Sequence, residues 1–280
     1  MSQVVLHGMR RATDRVQLLA RGTAQVPDIS SLVPAEFGGP QAAEERRHAT
    51  ISCVIPAYNE ESTIADVLSS LLSQTRLPDA IHVVINNTDD DTPEIARAFE
   101  GEHQRTVKGQ VFTTVVHVHD IGANPDKKDG ALNFGYYVSR GHDYILGVDG
   151  DTTLDRRCVE WLENEMVSDP RIGGISAIYT FDKTRVKGAM ARFLVAGQRA
   201  QFAGFNMDNL VRGRNMAVLG GQCSLFNVRA LESVMYRHHQ AAPWVRDSEV
   251  EDSKLSLQIK DAGFSTKISA HARAFVGPME

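Results

Sequence analysis

The 280-residue chain lacks three features that would each have indicated a class of protein. It has only three cysteines, Cys53, Cys158 and Cys223, which are far apart, so we expect neither a disulfide framework nor a zinc knuckle. It has no run of about 18 uncharged apolar residues, the length of a membrane-spanning helix. It has no excess of positive charge either, since its formal net charge is −5 at pH 7. We therefore expect no nucleic-acid partner, and a polyanionic ligand would have to be met by a local cluster of charge.

The N-terminus also lacks the apolar stretch of a secretory signal, so the expected location is cytoplasmic. The composition is that of an ordinary globular protein, with 42% hydrophobic and 23% charged residues. Length alone suggests about two domains. The patterns along the chain instead predict an N-terminal appendage, residues 1–48, and one domain, residues 49–280.

The appendage has no strand-like apolar run and is interrupted by proline and glycine. Apolar residues recur within it at spacings of four and three, with arginines on the other faces, which predicts a short amphipathic helix. The apolar positions are Val5, Met9, Ala12, Val16 and Leu19, and the arginines are Arg10, Arg11, Arg15 and Arg21. Such a helix packs on the domain surface or lies on an anionic membrane, and both remain open.

From residue 51 onward, short apolar strands alternate with helices. Strands are predicted at 51–55, 81–85, 111–118, 144–148 and 175–179, and helices at 64–72, 91–99, 131–138, 158–167, 188–211, 229–235 and around 255–259. This alternation predicts an α/β fold with a mostly parallel, doubly wound sheet flanked by helices. Ligands of such sheets bind beyond the carboxyl ends of the strands.

Asp149 and Asp151 directly follow the strand at 144–148. Residues two apart in an extended backbone point to the same side, so both carboxylates could address one hard cation. Gly150 between them would let a bulky ligand approach the backbone. An isolated pair of this kind is also common in solvated turns, as at residues 89–91.

Polar loops follow the first two strands, and we expect them at the same edge of the sheet. Tyr58 offers a stacking face, and Asn87 or Asp89 offers hydrogen bonds to a planar base, although ordinary turn chemistry explains these residues equally well. Lys128 comes just before a helix, where its ammonium and the backbone amides could hold a phosphate.

Two later segments also carry candidate chemistry. Residues 220–223 form a predicted tight loop, and Glu251 and Asp252 begin an amphipathic segment. A carboxylate there could take a proton from a hydroxyl group. Acidic residues at a helix start also simply complement the helix dipole.

The order of these segments resembles that of family two glycosyltransferases with the GT-A fold, especially the membrane-associated polysaccharide synthases of cellulose, chitin, hyaluronan and poly-N-acetylglucosamine. The resemblance covers about residues 50–275. The matching stretches are Ile55-Pro56-Ala57-Tyr58-Asn59-Glu60, residues 84–92, Lys128 to Asn133, Val148 to Thr152, Gly220 to Phe226, and Val250 to Leu257. Each stretch is modest, but the ordered set is specific.

The resemblance implies a role for each matching residue. The nucleotide-sugar would contact Pro56, Ala57, Tyr58, Glu60, Asn87, Asp89, Lys128 and Asp149. Mg or Mn would be held by Asp151 with Asp149. Catalysis would fall to Asp252, the general base, with its neighbour Glu251. The acceptor would border Gly220, Gly221, Gln222, Cys223 and Ser224.

The implied activity is inverting, metal-dependent transfer of a hexosyl unit from a nucleotide-sugar, a UDP-sugar, to a hydroxyl group of a growing glycan or lipid-linked acceptor. Two motifs depart from the family, since Asn86-Asn87 replaces a commoner Asp-Asp and Val250-Glu251-Asp252 replaces Thr-Glu-Asp. The synthases continue with a Gln-x-x-Arg-Trp segment and transmembrane helices that this sequence does not contain. We expect a catalytic piece of a protein at the inner face of the cell membrane, and a shorter soluble relative is the alternative.

Other functions remain as alternatives. A sugar nucleotidyltransferase would normally open with a glycine-rich phosphate loop, and residues 55–60 contain no glycine. A dinucleotide dehydrogenase is disfavoured because no G-x-G-x-x-G follows a strand. A non-catalytic nucleotide-sugar-binding scaffold has no need of Asp149, Asp151 and Asp252 together. His117 and His119 share a strand face, but the sequence shows no third ligand for a metal.

Overall fold

Residues 49–277, apart from 183–185, 187 and 246–250, are described by a computed structural model of the chain. The strands are β1 (Ile51–Ala57), β2 (Ala80–Ile85), β3 (Gly101–Val107), β4 (Gln110–Asp120), β5 (Tyr144–Val148), β6 (Thr152–Leu154), β7 (Ile172–Phe181), β8 (Cys223–Asn227) and β9 (Ser265–Val276). The helices are α1 (Ile64–Leu72), α2 (Thr92–Arg97), α3 (Lys127–Val138), α4 (Cys158–Ser168), α5 (Ala189–Val211), α6 (Val228–His238) and α7 (Glu251–Asp261). The predicted amphipathic helix of the appendage lies outside the described residues.

The strands form one nine-stranded sheet in the order β3-β4-β2-β1-β5-β8-β7-β9-β6. Its centre, β4-β2-β1-β5, is parallel, which confirms the predicted α/β sheet. The sheet is nevertheless mixed, because β8 runs antiparallel between β5 and β7, and β3 and β6 are antiparallel edges. One apolar core on one face includes α1 and α4, and a second core on the other face includes α3, α6 and α7.

The parallel centre follows from the apolar character of its strands. All seven residues of β1 are buried, as expected for a strand covered on both faces. Helix α3 packs very closely on it, because a Cβ added at Gly135 would overlap the Val54 side chain. On the opposite face, α1 buries Ile64, Val67, Leu68 and Leu71.

Four strands, β3, β6, β8 and β9, were not predicted. Strand β3 is polar, with side chains that alternate between half-buried and exposed, so it has no apolar run. The β3–β4 hairpin turns at Lys108 and Gly109, which both have positive φ (49° and 83°), a feature of tight hairpin turns. Strand β8 begins at Cys223, so the predicted tight loop is shorter by one residue.

Strand β1 lies at the point where the strand order reverses. The chain continues from β1 to β2 on one side and returns later to β5 on the other. The loops after β1 and β5 therefore face each other across a crevice, the usual ligand site of such sheets. Within the described part of the chain, no helix is both long and apolar enough to cross a membrane.

Candidate active site

The loops after β1 and β2 are joined directly, as the sequence predicts for one sheet edge. Asn59 Nδ2 donates to Asp89 Oδ1 at 2.8 Å, and the Asp89 amide donates to Asn59 Oδ1 at 3.1 Å. Asn59 has a φ of 54°, which turns its side chain toward the second loop without a glycine. Tyr58, beside it, is 59% exposed, so its ring face is open at this edge. The side chains of Pro56 and Ala57 are buried in β1.

Asn87 is engaged in a cluster of amide side chains. Its Nδ2 donates to Asn86 Oδ1 at 3.1 Å and to the Asn124 carbonyl at 2.7 Å. Its Oδ1 accepts from the Asn124 amide at 2.8 Å. One donor hydrogen thus ties the end of β2 to the segment before α3 and the other is bonded to Asn86, which leaves one lone pair of Oδ1 for a ligand. The sequence reading missed Asn124, and only its proximity to Lys128 could have suggested it.

Glu60 lies under the loop that follows β5. A Cβ added at Gly150 would lie 2.8 Å from Glu60 Cγ, so glycine is needed for this contact. Thr63 Oγ1 donates to Glu60 Oε2 at 2.6 Å. Burial raises the pKa of Glu60 to about 7, although the hydrogen bond from Thr63 lowers it. The negative charges of Asp151 and Asp149 also raise this pKa. Glu60 is thus in electrostatic contact with both predicted metal ligands.

The segment that carries Asp149 and Asp151 is a turn, so the expectation of an extended backbone there is wrong. The Thr152 amide donates to the Asp149 carbonyl at 3.0 Å, which closes the turn before β6 begins. Thr152 Oγ1 donates to Asp151 Oδ1, also at 3.0 Å. The two carboxylates reach the same crevice through this turn rather than from one face of a strand.

Lys128 lies in the first turn of α3 and faces β5. Its Nζ is 2.7 Å from Asp149 Oδ1. The lysine side chain is 36% exposed and the aspartate 21%, so the pair remains open to a ligand from solvent. A lysine at a helix N-terminus attracts phosphate oxygens. This is the local positive charge that the acidic chain needs for a polyanionic ligand.

Asp252, the predicted general base, lies beside Gly221 and close to Lys128. A Cβ added at Gly221 would overlap Asp252 Oδ2 and lie 3.1 Å from Lys128 Nζ. Asp252 is in the first turn of α7, where its carbonyl accepts from Ser256 Oγ at 2.6 Å. Glu251 is the first residue of that helix. Three segments that are far apart in sequence therefore meet around one glycine.

Two serine side chains form hydrogen bonds with the backbone of the loop before β8. The Gly220 amide donates to Ser176 Oγ at 2.9 Å, and Ser224 Oγ donates to the Gly220 carbonyl at 2.6 Å. Ser224 and Cys223 are 1% exposed. Because Cys223 and Ser224 are buried, only residues 220–222 of this predicted acceptor segment remain available to contact an acceptor.

Tyr179 on β7 was missed by the sequence reading. A Cβ added at Gly220 would lie 2.9 Å from Tyr179 Cε1 and equally far from Gln222 Oε1. Burial raises the pKa of the Tyr179 phenol, and the negative charge of Asp252 adds to the effect. Gln222 Oε1 is buried without a hydrogen-bond partner among the described residues. No pattern around Tyr179 signals this position beyond an apolar strand.

The donor chemistry of this crevice fits a divalent cation. Carboxylate oxygens are the ligands that Mg²⁺ and Mn²⁺ prefer, and the negative charge around Glu60 calls for compensation. Among the described residues, no three histidines, cysteines or acids are arranged to hold a metal by themselves. Mg²⁺ is commonly bound through one or two carboxylates together with substrate phosphates. Asp149 and Asp151 fit that kind of site.

A crevice of this kind, with carboxylates at the switch point and a lysine at a helix N-terminus, is typical of α/β proteins that bind a nucleotide diphosphate with a cation. The sequence profile described as Glycosyl transferase family 2 matches residues 52–235, more than half of the chain. The chain therefore belongs to glycosyltransferase family 2, enzymes that transfer a sugar from a nucleotide-sugar.

Two similar curated proteins are poly-beta-1,6-N-acetyl-D-glucosamine synthases of staphylococci. The protein of Staphylococcus epidermidis is 24% identical over 230 residues, which is 82% of this chain and 50% of that protein. The protein of Staphylococcus aureus strain COL is 23% identical over 217 residues, 78% of this chain and 47% of that protein. The chain spans about half the length of these relatives.

Two solved structures share the fold. Glucosyl-3-phosphoglycerate synthase from Mycobacterium tuberculosis, in complex with Mg²⁺ and uridine diphosphate, has a TM-score of 0.50 and 22% identity, over 89% of this chain and 73% of that one. A mannosyltransferase from Pyrobaculum calidifontis, in complex with GDP-Man and Mn²⁺, has a TM-score of 0.51 and 15% identity, over 95% of this chain and 67% of that one. At these identities the likeness shows the GT-A-like fold alone.

Proposed function

We propose that this chain carries out inverting transfer of a hexosyl unit from a UDP-sugar to a hydroxyl group of a growing glycan or lipid-linked acceptor. The observation that carries the proposal is the convergence of Asp252 and Lys128 on Gly221, with Lys128 paired to Asp149. The reaction needs a base and a phosphate-binding cation within one site, because the attacking hydroxyl loses a proton while a diphosphate leaves.

The donor would lie in the crevice between the loops after β1 and β5. Tyr58 would stack on the base, and the remaining lone pair of Asn87 Oδ1 would accept from the ring N–H of uracil. The exposed ring of Tyr58 and the two committed donor hydrogens of Asn87 support these roles. The choice of UDP rests on the family resemblance.

A Mg²⁺ or Mn²⁺ ion would be held by Asp151 and Asp149 together with diphosphate oxygens. When bound, it would neutralise the negative charge that develops on the leaving nucleotide. Lys128 would contact the same diphosphate from the N-terminus of α3. The ion pair of Lys128 with Asp149 would keep this ammonium aimed into the crevice before the donor binds.

Asp252 would act on the acceptor side. Its carboxylate would take the proton of the acceptor hydroxyl, whose oxygen then attacks the anomeric carbon from the face opposite the diphosphate. The bond between the anomeric carbon and the diphosphate oxygen breaks, and the configuration at that carbon inverts. The loop at residues 220–222, supported by Ser176 and Ser224, would hold the acceptor at this position.

Substitution of the base separates this proposal from a non-catalytic scaffold. The purified chain is offered UDP-glucose, UDP-N-acetylglucosamine and GDP-mannose with Mn²⁺, and nucleotide release and sugar transfer are measured. We expect turnover with at least one donor and, in Asp252→Asn, a loss of about 100-fold or more with UDP binding retained. Asp261→Asn, at the far end of α7, is the matched control and should keep wild-type turnover.

Near-normal turnover in Asp252→Asn would remove Asp252 as the base. UDP binding without turnover of any donor would favour the scaffold. Formation of a nucleotide-sugar from a nucleoside triphosphate and a sugar phosphate would instead identify a nucleotidyltransferase.

A further inference from the structure

Helix α5 presents an apolar face to solvent. Phe205 on this helix is 42% exposed, and the five most exposed large side chains are Met190, Phe193, Leu194, Met207 and Val211, which are between 59% and 77% exposed. They recur at the three- and four-residue spacings of one helix side, with Gly197, Ala200 and Gly204 between them. Contiguous apolar surface of this kind marks an interaction site in a soluble domain.

The opposite face of α5 already provides the packing that the fold needs. The Phe202 ring packs against Tyr179 and Phe181 at steep angles, with ring centroids 5.1 Å and 5.2 Å apart. Asn206 Nδ2 donates to the Tyr179 carbonyl at 3.0 Å. The outward apolar residues are therefore not required to attach the helix to the sheet.

This part of the chain is basic, although the whole chain is acidic. Residues 183–214 contain seven lysines and arginines and a single acid, Asp208, in a chain of net charge −5. Arg192 is exposed near the start of α5, and Arg212 is exposed just after its end. Asp208 is paired with Arg212 at 2.9 Å, and Arg214 is paired with Glu165 at 2.6 Å, so the excess of positive charge comes from the other five lysines and arginines of this segment.

We propose that this face of α5 lies on the surface of an anionic phospholipid bilayer. Its phenylalanine, leucine and methionine side chains would enter the boundary between headgroups and acyl chains, while the arginines contact lipid phosphates. A basic amphipathic helix with exposed aromatic and aliphatic residues is typical of membrane-surface binding.

Charge disfavours the other occupants of this face. Two copies packed through α5 would bring two segments of the same sign together, since residues 183–214 carry seven lysines and arginines and one acid in each copy. The chain's own N-terminal segment, with four arginines and one acid, Asp14, in its first 21 residues, would be repelled as well. An anionic partner would attract both basic segments, residues 1–21 and 183–214.

Helix α5 lies close to the loop that we assign to the acceptor. Tyr179, which packs on α5, also contacts Gly220 in the loop that we assign to the acceptor. A bilayer on the outer face of α5 would be separated from that loop by the Tyr179 side chain and by the helix, which is about 10 Å in diameter. This step rests on the proposed function and favours a lipid-linked acceptor.

Vesicle binding of the full chain tests the proposal. We expect sedimentation with vesicles of phosphatidylcholine and phosphatidylglycerol but weak sedimentation with phosphatidylcholine alone. The double variant Phe193→Asp, Leu194→Asp should lower the partition coefficient at least about tenfold, because two buried apolar side chains are lost. Val167→Asp, at an equally exposed apolar position on α4, is the control and should bind as the wild type does.

Three results would overturn the proposal. The first is equal vesicle binding by the double variant and the wild type, which would place attachment elsewhere, as in the N-terminal segment. The second is no vesicle binding by the wild type. The third is a wild-type dimer, by light scattering, that the double variant converts to monomer. UDP binding is measured in the same proteins as an independent test of the proposed function. If the wild type does not bind UDP, the proposed function is contradicted, but the membrane-binding surface is not.

Discussion

Gly221 is the residue at which the base and the cation of the candidate site come closest to the backbone. Its missing side chain leaves the space that Asp252 Oδ2 and Lys128 Nζ occupy. From the sequence, Gly220 and Gly221 indicate only a tight loop. That an acid and a lysine meet at this loop could not be predicted, because the three segments come together only in the folded chain.

Substitution of Gly221 by alanine should separate these groups. The added methyl group must displace Asp252 or Lys128, so we expect turnover to fall by about 100-fold, the effect of a shift of about 1 Å in a reacting group. Nucleotide release by the purified variant is the measurement. Gly147→Ala is the matched control, because its nearest neighbour would be at an ordinary 3.7 Å. Wild-type turnover in Gly221→Ala would show that the acid and the lysine do not act together.

The burial and raised pKa of Glu60 are features of the site that the sequence does not show. The family resemblance predicts that Glu60 contacts the nucleotide-sugar, and the structure adds that Glu60 is half-buried and feels the negative charges of Asp149 and Asp151. Its raised pKa of about 7 follows from burial and from two neighbours that are some 90 residues away in sequence. Such a shift cannot be read from local residues, since it depends on tertiary contacts.

The pKa of Glu60 gives a stability prediction with a definite sign. Its pKa is raised from 4.5 to about 7, so between these values the folded chain binds more protons and stability falls as pH rises. We expect Glu60→Gln to be more stable than wild type at pH 8 by about 1 kcal/mol, discounted because water screens the partly exposed carboxyl. Urea unfolding at pH 5 and pH 8 measures this. Glu61→Gln, an exposed neighbour, should show no such gain, and an equal effect in both variants would contradict the assignment.

At the scale of elements, β2 and β4 carry a cluster of three histidines. His82 stacks on His117 and His119 with ring centroids 5.0 Å and 5.2 Å apart, and His82 Nδ1 is 3.0 Å from His119 Nε2. The sequence reading found His117 and His119 on one strand face but no third member, because His82 joins them only through strand pairing. Burial, and then the charges of neighbouring histidines, hold the pKa of His82 well below its usual value and lower that of His119 to about 4.

This cluster should make the fold sensitive to acid. Between pH 6.5 and about 4 the unfolded chain binds a proton that folded His119 does not, so the free energy of unfolding falls with falling pH. The slope is about 1.4 kcal/mol per pH unit for one such histidine. Urea unfolding at pH 7.5 and pH 5 should show a smaller loss in His119→Gln than in wild type. His103→Gln, outside the cluster, should keep the wild-type loss, and a loss of wild-type size in His119→Gln would remove the cluster as its source.

The predicted elements differ from the observed ones where the apolar pattern is weak. The parallel strands and their helices were predicted because buried strands are continuous apolar runs and the helices carry apolar stripes. Strand β3 was missed because it is an edge strand with a polar sequence. Strand β9 was missed because its residues are largely small or polar, although many of them are buried against β7.

At the scale of the whole molecule, the candidate site depends on the reversal of strand order at β1. Residues from the loop after β1, from the start of α3, from the turn after β5 and from the start of α7 converge there. A ligand that contacts all of these segments binds only the folded chain. It should therefore raise the stability of the whole molecule.

We expect UDP with Mn²⁺ to stabilise the chain against unfolding. At 100 times the dissociation constant the gain is about 2.7 kcal/mol. Asp149→Asn and Asp151→Asn should lose the part of this gain that requires Mn²⁺, because the cation would lose a carboxylate ligand. Thermal unfolding with UDP alone, Mn²⁺ alone and both together measures this, with Asp261→Asn as the control. Full metal-dependent stabilisation in both aspartate variants would contradict the metal assignment.

The sequence by itself determined the α/β class, the central strands and the identity of most candidate residues. It did so because apolar periodicity and the residue types after each strand are local properties of the chain. Only the tertiary structure decided that Asp149 and Asp151 lie on a turn, that Asn87 is committed to Asn124, and that Asp252 and Lys128 meet at Gly221. Strand order and hydrogen-bond partners are set by contacts between distant segments, and no local pattern encodes them.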